Sequence, residues 1–171
     1  MKLRPLKKKD VQAMLEWMHD PDINAVFSAD FSKFTEQDVL RFIVSAQDET
    51  TAVHRACVDE NDVYLGTVSL KHIDRLARNA EYAVSFGKYG QGTGAAQFAT
   101  QKILELGFEE LNLERIYLNV LSDNRRANRF YQKTGFVFEG TFVKHIIIHG
   151  ELKDLNWYRL LKEEYFQQRN H

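Results

Sequence analysis

The spacing of apolar positions changes several times along the chain, and each change marks an element. Lys2 to Leu6 reads as a short first strand. Asp10 is an N-cap candidate, and after it Val11, Met14, Leu15 and Met18 fall at i, i+3, i+4 and i+7, one face of a helix. Pro21 ends or kinks that helix. Thr35, with Asp38 three residues on, caps a second helix that buries Val39, Phe42 and Ile43. The period then drops to two. Strands are predicted over Thr51 to Val58, Val63 to Ile73 and Ala80 to Phe86. In the last of these, Ala80, Tyr82, Val84 and Phe86 alternate with Glu81, Ala83 and Ser85.

A helical period returns from about Ala95 to Leu111, with Ala96, Ala99, Ile103 and Leu106 as the stripe and Leu104, Phe108 and Leu111 beside it. Arg115 to Leu121 is a fifth strand. A polar S-D-N turn then starts a helix that runs to about Lys133 and stops at Gly135. Phe136 to Ile148 and Leu152 to Leu161 form a hairpin about His149-Gly150, and the tail is polar. Without repeats, low-complexity tracts or linkers, residues 1–171 read as one domain.

Composition narrows the function classes. The 44% hydrophobic and 27% charged residues are those of a soluble globular protein. A net charge of −1 supplies no electrostatic footprint for nucleic acid. The lone Cys57 excludes an internal disulfide and a cysteine-rich metal site, so no metal is expected. Lying in T-A-V-H-R-A-C-V, it reads as a buried structural thiol in a reducing cytoplasm. The basic opening M-K-L-R-P-L-K-K-K-D lacks the apolar stretch of a signal peptide, and no run has the length of a membrane span.

Two segments carry candidate chemistry. Gly87 to Gly94 places four glycines where a strand hands over to a helix. The chain can turn tightly there, and the first helical amides, at the positive end of the dipole, suit a pyrophosphate. A dinucleotide fingerprint or a plain tight loop fits this segment too. There is no G-x-x-x-x-G-K-S/T, however, and the turn lies mid-chain after several strands rather than after the first strand of a repeated parallel unit. About 30 residues on, Asn124 and Tyr131 lie seven apart, on one helix face and roughly 10 Å from each other, with small Ala127 between them. Read alone, these are a helix cap and a half-buried core aromatic.

Together the two segments resemble the coenzyme-binding core of the GNAT superfamily of N-acetyltransferases. There, Q/R-x-x-G-x-G/A is followed by a strand and a helix reading N-x-x-A-x-x-x-Y-x-K-x-G-F. Gly92 and Gly94 match the first pattern, and Asn124, Ala127, Tyr131, Lys133, Gly135 and Phe136 match the second. The opening L-R-P-L…D and the late F-E-G…G-x-x-x-D, with Asp154 in place, extend the resemblance over nearly the whole chain. W-x-x-D-P-x-I (Trp17 to Ile23) and the F-E-G segment are similar to the ribosomal-protein and amino-sugar acetyltransferases. The chain departs from the pattern at Tyr89, in the usual Gln/Arg position, which leaves Lys88 or Gln91 to supply that contact.

The resemblance implies an α+β fold layered α/β/α. Its central sheet has about seven mostly antiparallel strands, flanked by helices and split between the fourth and fifth. It implies acetyl-CoA as co-substrate and direct attack by a primary amine on the thioester in a ternary complex. The pantetheine arm would pair with the backbone at Val84, Ser85 and Phe86. Amides of Gln91, Gly92, Thr93, Gly94 and Ala95 would hold the pyrophosphate, with Asn124 and Lys133 as further contacts. Tyr131 would meet the departing thiolate, and Glu81, through water, would take the amine proton. Glu81 paired with a neighbouring cation is the plain alternative, and His145 and His149 are other candidate bases. Trp17, Asp20, Phe27 and His145 are candidates to line the acceptor site. Amino sugars lead narrowly over a protein N-terminus as acceptors, polyamines and aminoglycosides follow, and near-neutral charge argues against a strongly cationic one. A coenzyme-binding sensor without activity and a nucleotide-binding oxidoreductase are the alternative readings. The last strands offer an edge to a second copy, so a homodimer is expected.

Overall fold

The computed structural model describes residues 1–169. Seven strands form one sheet: β1 (Lys2–Pro5), β2 (Val53–Val58), β3 (Tyr64–Asp74), β4 (Asn79–Phe86), β5 (Arg115–Leu121), β6 (Val137–Ile148) and β7 (Glu151–Leu161). Their spatial order is β1-β2-β3-β4-β5-β7-β6. Every neighbouring pair is antiparallel except β4 and β5, which run parallel. A parallel pair needs a crossover, and the long helix between these strands supplies it.

Helices cover both faces. On one side, α1 (Val11–Met18) and α3 (Glu36–Ser45) bury Met14, Met18, Val39 and Ile43 against Ala56, Val58 and Tyr64 of the sheet. A short α2 (Pro21–Asn24) lies between them. On the other side, α4 (Ala95–Glu105) packs Ala95, Ala99 and Ile103 on Val68, Leu70, Tyr82 and Ile116. Here α5 (Arg125–Lys133) adds Ala127 and Tyr131. The alternation along β4 and β5 is therefore a division of labour, with Tyr82, Ile116 and Leu118 under α4 and Glu81 and Tyr117 on the opposite face.

Three details differ from the sequence reading. Asp10 makes no side-chain cap for α1. Its carboxylate instead takes both guanidinium nitrogens of Arg4, each at 2.8 Å, and fastens β1 to the following turn. Pro21 does not end α1, which stops at Met18. It opens α2, with Asp20 as the cap. The polar tail holds a helix, α6 (Lys162–Arg169), anchored by buried Tyr165 against Phe108. One buried ring is too little to produce a hydrophobic period. The predicted Thr35–Asp38 capping box is present. Cys57 is fully buried, its thiol pushed up to about 11 by that burial, as a structural thiol should be.

Candidate active site

β4 and β5 share only three rungs, Asn79 with Arg115, Ala80 with Ile116 and Glu81 with Tyr117. Beyond them the strands part. β4 stays on β3 as far as Phe86 opposite Gly66, and β5 stays on β7 as far as Leu121 opposite Leu155. A gap therefore opens in the sheet from Tyr82 and Leu118 onward. The Gly87 amide donates to Leu65 at 3.2 Å, which places Gly87, Ser85 and Ala83 in the hydrogen-bonded register with β3. By alternation the backbone groups of Tyr82, Val84 and Phe86 face the gap. An extended amide-bearing chain can pair with them as an added strand.

The glycine-rich turn stands at the wide end of the gap. Gly92 (φ +74°) and Gly94 (φ +81°, the α4 N-cap) hold left-handed conformations that an L side chain resists, although nothing crowds their α-carbons. Thr93 closes the turn by donating to the Gly90 carbonyl at 2.8 Å, and its oxygen accepts a long bond (3.3 Å) from the Ala95 amide. Among the described residues, no group accepts a hydrogen bond from the amides of Gly92, Thr93, Gly94, Ala96 or Gln97. Five such donors at the positive end of an eleven-residue helix suit an anion.

The side chains around this turn are arranged differently from the expectation. Lys88 is held by Asp20 at 2.8 Å, and Tyr89 is 75% exposed. Gln91 lies between the Phe86 carbonyl (3.5 Å) and Arg126, whose Nη1 donates to it at 3.2 Å. Arg126, in the first turn of α5, thus brings a cation to the turn where Tyr89 provides none. Sequence reasoning missed it, although the lost Gln/Arg contact was itself a signal to search the helix facing the glycines. Lys133 is exposed at the far end of α5.

At the fork of the gap two groups flank β4 from opposite faces. Tyr131 packs edge-on against Tyr82 (ring centroids 6.0 Å), with Phe130, Phe136 and Tyr158 around it. Burial pushes its phenol up to about 12. The hydroxyls of Tyr64, Tyr82, Tyr158 and Tyr165 are all hydrogen-bonded within the protein. That of Tyr131 has no partner among the described residues, so it is free to donate to a ligand. α5 is pinned in place by buried Asn128, whose amide donates to the Leu121 carbonyl at 2.9 Å and whose oxygen accepts from Tyr158 and Asn156. Asn124 caps α5 through a 3.1 Å bond from the Ala127 amide, which engages its oxygen and leaves its NH2 available.

Glu81 lies on the other face, 18% exposed, with Lys71 3.2 Å from Oε1 and His72 3.5 Å from Oε2. The plain expectation of a cationic neighbour is met by Lys71. Beyond it, Tyr117 stacks on Trp157 (6.0 Å), and Trp157 packs on Phe142 (5.0 Å), an aromatic wall that sequence reasoning did not identify. The indole NH of Trp157 is buried without a partner. Of the residues expected to line the acceptor site, Trp17 is buried among Phe27 and Phe31 and donates to the Tyr64 hydroxyl at 3.3 Å. With Asp20 it lines a 370 Å³ cavity shared with Gly87 and Lys88, beside the cofactor turn. His145 is exposed and meets Phe142 edge-on, and His149 is an exposed turn residue with φ +50°. Neither is near Glu81 in the ladder. Among the described residues no cluster of three or more His, Cys, Asp or Glu side chains could hold a metal.

Comparison with known proteins agrees with this geometry. The family model of the acetyltransferase (GNAT) domain matches residues 1–137. The spermidine N(1)-acetyltransferase of Escherichia coli K12 is 31% identical over 160 residues, 90% of this chain and 82% of its own. That of Vibrio cholerae is 28% identical over 165 residues, 95% of this chain and 94% of its own. A crystal structure of the Vibrio cholerae spermidine N-acetyltransferase with CoA and spermine superposes with a TM-score of 0.88 at 24% identity, covering 96% of this chain and 97% of that one. With its split sheet, its glycine turn and a family match over most of its length, the chain belongs to the GNAT acetyltransferases.

Proposed function

We propose that the protein acetylates a primary amine of a small alkyl polyamine, using acetyl-CoA, in the gap between β4 and β5. The observation that carries this is the alignment of three features along one gap. Five free amides stand at its mouth, unpaired strand backbone runs along its side, and an unpartnered phenol and a carboxylate flank its fork. The diphosphate takes the amides and Arg126, the pantetheine lies along Val84 to Phe86, and the thioester reaches Tyr131. Glu81 removes the proton an alkyl ammonium carries at neutral pH, directly or through one water.

Two features support a polyamine over the amino sugars and protein N-termini put first by the sequence. Relatives matched over 90% and 95% of the chain are named for spermidine. Tyr117 and Trp157 beside Glu81 suit an alkyl ammonium, which aromatic faces attract. The earlier objection from net charge applies to the whole chain, whereas recognition depends on charge within a few ångströms. The buried thiol of Cys57 fits a reducing cytoplasm. The β6 edge, with Phe138, Phe142, Val143 and Ile147 exposed, supports association with a second copy.

Thiol release from acetyl-CoA is to be measured with spermidine, glucosamine and a peptide with a free N-terminus. Spermidine should give kcat/KM at least about tenfold above the others, a difference of about 1.4 kcal/mol in transition-state binding. Faster glucosamine or peptide turnover overturns the acceptor class. No thiol release with any amine overturns transfer itself. Glu81→Gln should remove the acidic limb of the pH–rate profile, and a limb that survives takes Glu81 out of the mechanism.

A further inference from the structure

We infer that His72 is a proton-relay residue that carries the amine proton from Glu81 to solvent. The inference rests on the transfer reaction proposed above and adds a positioning residue to it. The observation is a bulge in β3. Lys71 pairs with Glu81 and Asp74 with Asn79, so three steps on β3 match two on β4, and His72 and Ile73 together face Ala80. In a regular strand residue 72 would turn to the α4 face after Lys71. Here Ile73 takes the buried position, and His72 remains on the Glu81 face, its side chain 71% exposed and its Nε2 3.5 Å from Oε2.

Holding it there costs backbone strain. His72 has φ +51°, the left-handed region that non-glycine residues avoid at a cost of about 1–2 kcal/mol. A strained residue in a bulge that re-aims an imidazole at a carboxylate is an arrangement found where side-chain placement matters. The two carboxylate oxygens divide the work. Oε1 faces Lys71, and Oε2 faces His72. Besides Arg115, which is paired with Glu139 and lies 5.9 Å over the Tyr117 ring, the ionisable groups near this face include Tyr117 of β5, which feels the Glu81 charge, and His54 of β2, which is bonded to Ser69 at 2.7 Å and feels Lys71. Both are less solvent-facing than His72, so neither offers as direct an exit.

The protons balance. An alkyl ammonium has three N–H bonds and its acetamide one. One proton ends on the coenzyme sulfur and one must leave. The N–H bond breaks as a Glu81 O–H forms, that O–H breaks as His72 Nε2–H forms, and the imidazolium gives its Nδ1 proton to water. Exchange with solvent restores Nε2 as an acceptor.

The test is steady-state thiol release by the full chain with acetyl-CoA and spermidine. Two variants suit the left-handed backbone: His72→Asn, which tolerates it, and His72→Gly, which relieves it and leaves room for free imidazole. Both should lower kcat about 100-fold with KM for acetyl-CoA unchanged, the low end for a lost proton transfer. Added imidazole should restore His72→Gly and leave Glu81→Gln unaffected. If wild-type protein turns over and His72→Gly is as fast, or is slow but indifferent to imidazole, the relay is overturned while the transferase stands. If wild-type protein releases no thiol with any amine, the transfer reading fails first.

Discussion

Replacing Tyr131 with Phe removes one hydroxyl from the fork of the gap and should lower kcat by about 10- to 150-fold. The size follows from the surroundings of the phenol. Burial among Tyr82, Phe136 and Tyr158 pushes it up to about 12, some 3.5 units above an ordinary thiol. Complete proton transfer to a departing thiolate is therefore uphill by about 5 kcal/mol unless the sulfur is itself desolvated. A hydrogen bond to developing negative charge does not pay that cost. Such bonds contribute about 1.5–3 kcal/mol, which converts to the range given. Since the hydroxyl has no partner to abandon among the described residues, Tyr131→Phe should melt within about 2 °C of wild type and bind acetyl-CoA equally well. The sign for pH is also fixed. A phenol raised to about 12 stays protonated through pH 10, so Tyr131 should add no alkaline decline below that pH. The assay is thiol release at saturating acetyl-CoA and amine from pH 6 to 10. A variant within twofold of wild-type kcat across that range refutes the assigned role.

Gly94→Ala places a methyl group in open space but at φ +81°, so the expected loss is conformational, about 1–2 kcal/mol, or 2–8 °C in Tm, with a raised KM for acetyl-CoA. Unchanged melting would mean the turn relaxes without cost. Arg126→Ala should raise KM for acetyl-CoA about fivefold, as expected for one exposed charge contact of about 1 kcal/mol, and leave saturated kcat alone. Initial rates at varied acetyl-CoA decide it. Asp62 is held well below the usual carboxylate range by Lys9 and Arg4. A depressed carboxyl stabilises the fold above its unfolded value near pH 4, and that contribution is lost as pH falls toward the folded value. Asp62→Asn, which keeps the left-handed φ +63°, should therefore lower Tm at pH 7, with the gap to wild type closing below about pH 4.

What the sequence made legible was whatever depends on neighbours in the chain. Period-two runs placed β4 and β5, the glycines marked a tight strand-to-helix turn, and Thr35 with Asp38 predicted a cap that is present. What it hid depends on register. Nothing in A-E-Y-A-V-S-F says that pairing with β5 stops at Glu81, yet that ending creates the gap. The bulge at His72 is likewise set by pairing on both sides of Ala80, and the Tyr117–Trp157–Phe142 wall joins three strands far apart in the chain. Arg126 falls between matched motif positions, and only its bond to Gln91 ties it to the glycine turn.

On the proposed mechanism, the alternation along β4 favours the gap, rather than either face of the sheet, as the place for the thioester. Glu81 and Tyr82 are consecutive, so their side chains leave the strand on opposite sides, Glu81 toward Tyr117 and Tyr82 toward Tyr131. The carboxylate proposed to take the amine proton and the phenol proposed to meet the sulfur are thus separated by the thickness of the sheet. In a continuous sheet, β5 would fill that space and no substrate could touch both. Parting the strands immediately after the Glu81 rung opens a passage through the sheet at the one height where both are in reach. The apolar side raises the phenol and keeps it a hydrogen-bond donor, while the polar side places Lys71 and His72 against the carboxylate. Amine and thioester can then meet edge to edge in the plane of the sheet, each against the group its chemistry requires.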